Sequence, residues 1–165
     1  MTLRIRLYRD EDHDAVIELS LLAWEPVFRS FEQVLGRNVY DLLYPDWKAS
    51  QAKVVESVFE ELEKFTILVA EVDGFVAGFL PYTVDHEEKK GTVYLLAVHP
   101  DYQSCGAATA LNKAALEGMK ACGMKLAAVD TGGDPSHAPA RRCYEKSGFD
   151  RSISSVHYFK DLTET

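Results

Sequence analysis

Apolar and polar residues alternate through "TLRIRLYRD" near the N-terminus, a period of two that predicts a half-buried strand. The period then lengthens. Ala15, Val16, Leu19, Leu22 and Ala23 recur at helical spacing behind the acidic stretch "DEDHD", which puts carboxylates where a helix N-terminus favours them. Pro26 is expected to break that helix soon after Trp24. Residues 27 to 63 read as interrupted helix, punctuated by Gly36 and Pro45 and dense in aromatic side chains. A helix is predicted from Asp46 to Lys64, with Ala52, Val55, Phe59 and Leu62 on one face. The pattern then returns to strands. "TILVAEV" leads through Asp73-Gly74, a two-residue hairpin signal, into "FVAGFLPYTV". "DHEEKKG" makes a second turn before "TVYLLAV", which is apolar on both faces as a central strand is. A helix to Cys122 follows, with Leu111, Ala115, Met119 and Cys122 as its buried stripe and Gly123 ending it. "KLAAVDT" is a strand, "GGDPSH" a loop, and "APARRCYEKSG" a short helix with Pro139 in its first turn. "FDRSISSVHYFKDL" is expected to close the chain as one or two strands. The order is mixed α/β (α+β), without repeat or linker.

Composition narrows the class. At 165 residues the chain, 1–165, is expected to be one domain. No apolar run is long enough to span a bilayer, and "MTLRIRLYRD" lacks the apolar block of a signal peptide, so a cytoplasmic location is expected. The formal net charge of -8 argues against nucleic acid as the main partner and is compatible with an amine-bearing substrate. Cys105, Cys122 and Cys143 are widely spaced and form no metal-ligand pattern with the five histidines, so neither a disulfide framework nor a metal site is expected. A thiolate at Cys105 would be favoured by a helix N-terminus.

The stretch "AVHPDYQSCGAATAL" carries the chemistry. Pro100 stops the strand ladder, and the residues from Gln103 to Ala108 pass through a turn into the next helix. The first amides of that helix are unsatisfied by the helix itself, and its dipole adds partial positive charge. Gly106 permits close approach, and Ala107 and Ala108 keep the wall thin. Two readings follow: a cradle for a pyrophosphate, or small residues that pack the helix onto the sheet.

This stretch resembles the acetyl-CoA signature of the GNAT N-acetyltransferase superfamily, with Gln103, Gly106 and Ala108 at its three defining positions. "APARRCYEKSGF", residues 138 to 149, resembles the family's later motif, a short helix bearing Tyr-Glu and ending in Gly-Phe. The resemblance implies a mixed central sheet of six to seven strands flanked by about four helices, in the order β-α-α-β-β-β-α-β-α-β. It also implies acetyl-CoA as acyl donor, wedged between the fourth and fifth strands. Leu96, Ala97 and Val98 would offer backbone groups to the pantetheine arm. Gln103, Ser104, Cys105, Gly106, Ala107, Ala108 and Thr109 would hold the pyrophosphate. Tyr144 matches the tyrosine that protonates the departing thiolate in many members; its other reading is a core residue of an amphipathic helix. Ser104 departs from the glycine or arginine common at its position. His137 replaces an asparagine that bonds the cofactor arm or local backbone.

The base for the attacking amine is open among Glu71, Tyr94, Asp130 and a water chain. Asp130 has the best expected geometry, since strand carboxyl ends line such sites; its alternative role is capping the "TGGDP" loop, itself read as pocket rim or plain loop. Trp24, Phe28 and Tyr94 are the candidate acceptor-binding residues, within an aromatic region that serves as core or as pocket wall. The expected activity is direct transfer of acetyl to a primary amine of a small molecule. Transfer to protein or peptide amines, and a non-catalytic acyl-CoA-binding module, are the alternatives. The expected partners are the small amine and a second copy of the chain as a homodimer, with no nucleic acid and no membrane.

Overall fold

The computed structural model describes residues 1–163. The alternating segment forms β1 (Leu3–Leu7), and a short turn leads into α1 (His13–Leu35). There follow α2 (Arg37–Leu43), α3 (Trp47–Glu60), β2 (Thr66–Val72) and β3 (Phe75–Asp85). Then come β4 (Lys90–Val93), β5 (Ala97–Val98), α4 (Ala107–Ala121), β6 (Leu126–Val129) and α5 (Ala138–Lys146). One sheet runs β1-β2-β3-β4-β6, with β5 also paired to β3. Every pair is antiparallel except β4–β6. This is the expected mixed sheet with flanking helices, to which the seven-residue α2 is an addition.

The near-continuous apolar run of β2 reflects burial on both faces. Leu68 and Ala70 join Leu80 and Tyr82 against Leu111, Ala115 and Met119 of α4. Ile67 and Val69 turn the other way, with Phe79 and Ala97, onto Val16 and Leu19 of α1 and Val55 and Val58 of α3. Each buried Val, Leu, Ile, Phe or Met side chain among them contributes about 1.5–3 kcal/mol. The Asp73-Gly74 turn forms as predicted, with both residues at positive φ (49° and 89°) and Val72 paired to Phe75.

An ion cluster ties the first strand to the rest. Arg6 donates from Nη1 and Nη2 to the two Asp12 oxygens at 2.7 and 2.8 Å, and from Nε to Glu71 at 2.8 Å. The Arg9 backbone N–H also donates to Asp12 Oδ2. The Arg6 guanidinium is the largest influence on Asp12 and holds its buried carboxyl below the usual carboxylate range.

Five expectations are corrected. Pro26 does not end the first helix, which runs on to Leu35. One lost backbone bond is offset because Phe28 and Phe31 beyond it reach aromatic partners, Trp47 and Tyr44. The helix predicted to Lys64 stops at Glu60, and Leu62 lies outside it, half exposed. Cys122 is the exposed C-cap of α4 and not part of its buried stripe. "TVYLLAV" is two strands and not one. Residues 150–160 form no strand and are exposed. Their apolar side chains, Ile153, Val156, Tyr158 and Phe159, fall on both parities, so no single strand face would be apolar.

Candidate active site

The break in "TVYLLAV" opens the sheet. Tyr82 pairs with Val93, whereas Phe79 pairs with Ala97. Between the Tyr94–Pro81 contact, where Tyr94 N–H donates to Pro81 O at 2.9 Å, and the Ala97 pair, two residues, Leu95 and Leu96, oppose the single Leu80. That is a β-bulge, and bulges bend the strand that carries them. Pro81 favours it, because proline has no N–H to return to Tyr94. The parallel β4–β6 ladder ends at Val93↔Val129, level with this bend. β6 ends there too, at Val129, while β5 goes on along β3, so no pairing joins β5 to β6. In an antiparallel ladder alternate residues turn their N–H and C=O outward. Ala97 faces β3, as His99 does with its bond to Ala77 O at 2.8 Å. Val98, between them, presents its backbone groups away from β3, to the β6 side.

The loop to α4 lies past the end of β5. His99 Nδ1 accepts from the Asp101 N–H, and Pro100–Tyr102 form a single 3-10 turn. Gln103 is extended, Ser104 is left-handed at φ 64°, and Gly106, the N-cap, is left-handed at φ 88°. The first helical bond runs from Ala110 N–H to Gly106 O, so the amides of Ala107, Ala108 and Thr109 precede the ladder and are free to donate. A side chain on Gly106 would meet no atom within 4 Å, so its glycine serves conformation and an open approach, not packing. Ala107, by contrast, is buried, and Cys105 and Ala108 pack partly against the α4 core. The packing reading therefore holds for Ala107, with Cys105 and Ala108 in part, and not for Gly106.

Tyr144 sits on α5 with 8% of its surface exposed, its ring edge-on to Phe149. Burial, with a smaller contribution from Cys143, pushes its phenol up to about 12. The hydroxyl has no hydrogen-bond partner among the described residues. Sequence reasoning missed the support for this helix. Asn112 of α4 is fully buried and donates from Nδ2 to Cys143 Sγ at 3.3 Å, next to Tyr144 in sequence. Its Oδ1 has no partner among the described residues.

The loop from β6 to α5 is better ordered than its glycines suggest. Asp134 caps a 3-10 turn, Pro135–His137, accepting from the Ser136 N–H and hydroxyl. Its other oxygen lies 2.5 Å from His137 Nδ1. Burial pushes the Asp134 carboxyl up, but the bonds from Ser136 and His137 outweigh it and hold the group below its usual range. Arg141 Nη1 donates to the carbonyls of Gly132 and Asp134 at 2.5 and 2.9 Å. His137 thus spends Nδ1 on Asp134, while its ring lies 6.2 Å from that of Trp24 and 6.0 Å from that of Phe31. The detectable signal was an aspartate before proline with a histidine three residues on.

The remaining candidates scatter more widely. Phe28 is buried, stacked on Trp47 at 4.5 Å, and forms the floor of an aromatic cluster with Phe31 and Tyr44. Tyr94 is half exposed at the strand break, against Phe65. Asp130, one residue past β6, is exposed and has no hydrogen bond or ion pair among the described residues. Glu71 is held by Arg6 and is far along β2. No group of three or more potential metal ligands occurs among the described residues, and no helix there is long and apolar enough to cross a membrane.

The overall fold, a mixed sheet with flanking helices, is shared with known N-acetyltransferases. The model of the acetyltransferase (GNAT) family matches residues 36–149, and the chain belongs to that family. An acetyltransferase from Pectobacterium atrosepticum is 32% identical over 109 residues, 66% of this chain and 62% of that one. The chain spans between 25% and 62% of the length of the curated relatives it matches. Among solved structures, the PaiA N-acetyltransferase of Thermoplasma acidophilum in complex with coenzyme A has a TM-score of 0.71 at 19% identity, covering 94% of each chain. The aminoglycoside enzyme AAC(6')-Iy, with a bisubstrate analogue, has a TM-score of 0.66 at 17% identity, covering 98% of this chain and 99% of that one.

Proposed function

We propose that the chain transfers an acetyl group from acetyl-CoA to a primary amine of a small molecule by direct attack. The observation that carries this reading is the parting of β5 from β6 at the bulge, with the free amides of α4 beyond it. The pantetheine arm would lie in the parting, bonded to the outward groups of Val98, beside Leu96 and Ala97. The pyrophosphate would rest on the turn from Gln103 through Ser104, Cys105 and Gly106 to the amides of Ala107, Ala108 and Thr109. Tyr144 acts as general acid. Its burial keeps the phenol protonated through the physiological range, and the same desolvation raises the basicity of a thiolate beside it, so the proton can pass.

Trp24 and the cluster over Phe28 wall the acceptor side, with Tyr94 at the far rim. The fold is shared by aminoglycoside and ribosomal-protein-alanine N-acetyltransferases alike, so the small-molecule reading rests on that aromatic wall. We extend the proposal to a cytoplasmic homodimer, in which a second copy covers the open edge of β6; light scattering reads the mass directly.

The test combines calorimetry of acetyl-CoA binding with release of CoA thiol in the presence of amines. Tyr144→Phe is expected to retain acetyl-CoA affinity and to lose turnover at least about tenfold. Unchanged turnover removes Tyr144 from the mechanism. Tight acetyl-CoA binding without CoA release for any amine supports the binding-module alternative instead.

A further inference from the structure

We propose that His137, oriented by Asp134, is the base that takes the proton from the acceptor ammonium. The inference rests on the transferase reading above and adds the residue pair that readies its second substrate.

The geometry fixes the imidazole's chemistry. An ionised carboxylate only accepts hydrogen bonds, so Nδ1, 2.5 Å from Asp134 Oδ1, carries the proton. Nε2 then holds the lone pair and accepts. The pair is sheltered, with the side chains of His137 and Asp134 12% and 19% exposed. Asp134 is itself held by Ser136, and Arg141 fastens the carbonyls on either side. Gly132 shows how closely the pair is enclosed. A Cβ there would lie 2.5 Å from both Asp134 Oδ1 and His137 Nδ1.

The position suits the task. α1 contacts β5 at one point and the Pro135–His137 turn, which follows β6, at another, so it bridges β5 and that turn. His137 lies beneath that bridge, edge-on to Trp24 and beside Phe31. Along α5, Tyr144 is two turns further on the same face, about 10 Å along the axis. A thioester and an attacking nitrogen fit between a base at one end and an acid at the other. The charged groups at the ring are Asp134 on its own turn and Arg141 from α5, while α1 brings the rings of Trp24 and Phe31. The α1 charges Glu25 and Arg29 pair with each other in solvent. Asp130, exposed and without a partner, lacks this orientation.

The protons balance. The ammonium gives one proton to His137 Nε2, which passes it to solvent. The amine nitrogen forms the C–N bond as the C–S bond breaks. Tyr144 protonates the sulfur, and the second amine proton restores Tyr144.

The experiment follows CoA thiol release with tryptamine, spermidine, kanamycin and an alanine-terminated peptide between pH 6 and 9.5, for wild type, His137→Asn, Asp134→Asn and Gly132→Ala. His137→Asn is expected to lower kcat/KM for the amine about a hundredfold at pH 7, with acetyl-CoA affinity by calorimetry unchanged. The deficit shrinks as pH rises and the ammonium loses its proton unaided, so the acidic limb of the variant's profile moves up towards the pKa of the amine itself. Asp134→Asn, which keeps the imidazole but weakens its partner, and Gly132→Ala, whose Cβ pushes the pair apart, are expected to shift the wild-type limb, and circular dichroism checks that each variant folds. A His137→Asn enzyme that loses acetyl-CoA affinity but not amine turnover at saturation overturns the proposal in favour of a cofactor contact. A deficit equal at every pH also overturns it. A wild type that binds acetyl-CoA and acetylates none of the four amines overturns the transferase reading and the dyad with it, whereas an active wild type matched by His137→Asn overturns the dyad alone.

Discussion

Raising the pH is a direct probe of the buried phenol. Tyr144 titrates at about 12 in the folded chain because its ring is desolvated, against about 10 for an unfolded tyrosine. A pKa raised by folding means that stability is whole below pH 10. It falls above pH 10, because the unfolded chain ionises first. A tenfold difference in acidity between the folded and unfolded chain corresponds to about 1.4 kcal/mol, so the loss from Tyr144 reaches about 2 kcal/mol at pH 11.5 and about 3 kcal/mol beyond pH 12. Burial also raises Tyr82, Tyr40 and Tyr8, which add to the total loss. The difference between wild type and Tyr144→Phe isolates one residue from that background. Urea unfolding at pH 8.5, 10 and 11.5 is the assay, read as the difference in free energy between the two proteins at each pH. The variant is expected to lose about 2 kcal/mol less than wild type between the first and last conditions. Parallel losses in both proteins would refute the reasoning, and with it the claim that the proposed acid is kept protonated by its surroundings.

Two further outcomes follow from other regions. Asp12→Asn removes the carboxylate that Arg6 grips at both ends, with side chains 9% and 3% exposed, and is expected to cost about 3 kcal/mol at neutral pH by chemical denaturation. Folding depresses the Asp12 pKa, so its contribution is present above pH 4 and lost as pH falls, and the variant's acid unfolding is expected to be correspondingly flatter. Gly106→Ala meets no steric neighbour but must hold φ near 88°, so a stability loss of about 1 kcal/mol and weaker acetyl-CoA binding are expected, by thermal melt and calorimetry.

The sequence was most legible where local chemistry decides the outcome. The Asp73-Gly74 turn, the end of β5 before Pro100 and the glycine that opens α4 are each dictated by backbone preference, and each stands as read. It was least legible where distant partners decide. Pro26 looked like a helix end because the aromatic partners that carry α1 past it lie on α3 and in the loop before it. The bulge at Leu95–Leu96 depends on the register with β3, which no run of seven apolar residues reveals by itself. The Asp134–His137 pair was hidden for a similar reason. "TGGDPSH" reads as a loose loop until α1 closes over it and Arg141 reaches back to its carbonyls.

The bulged strand has a further consequence for how this surface changes over time. Contacts made through the outward backbone groups of Val98 ask nothing of the side chain they belong to. Substitutions there can drift freely provided that the bend survives, and the bend depends on a count of residues and a proline opposite, not on any reactive group. A ligand held this way is remembered by the path of the chain rather than by its letters. Proteins sharing 17% or 19% of their residues with this one keep the same overall fold, and a bend set by chain path leaves the aromatic and ionisable groups around it free to specialise.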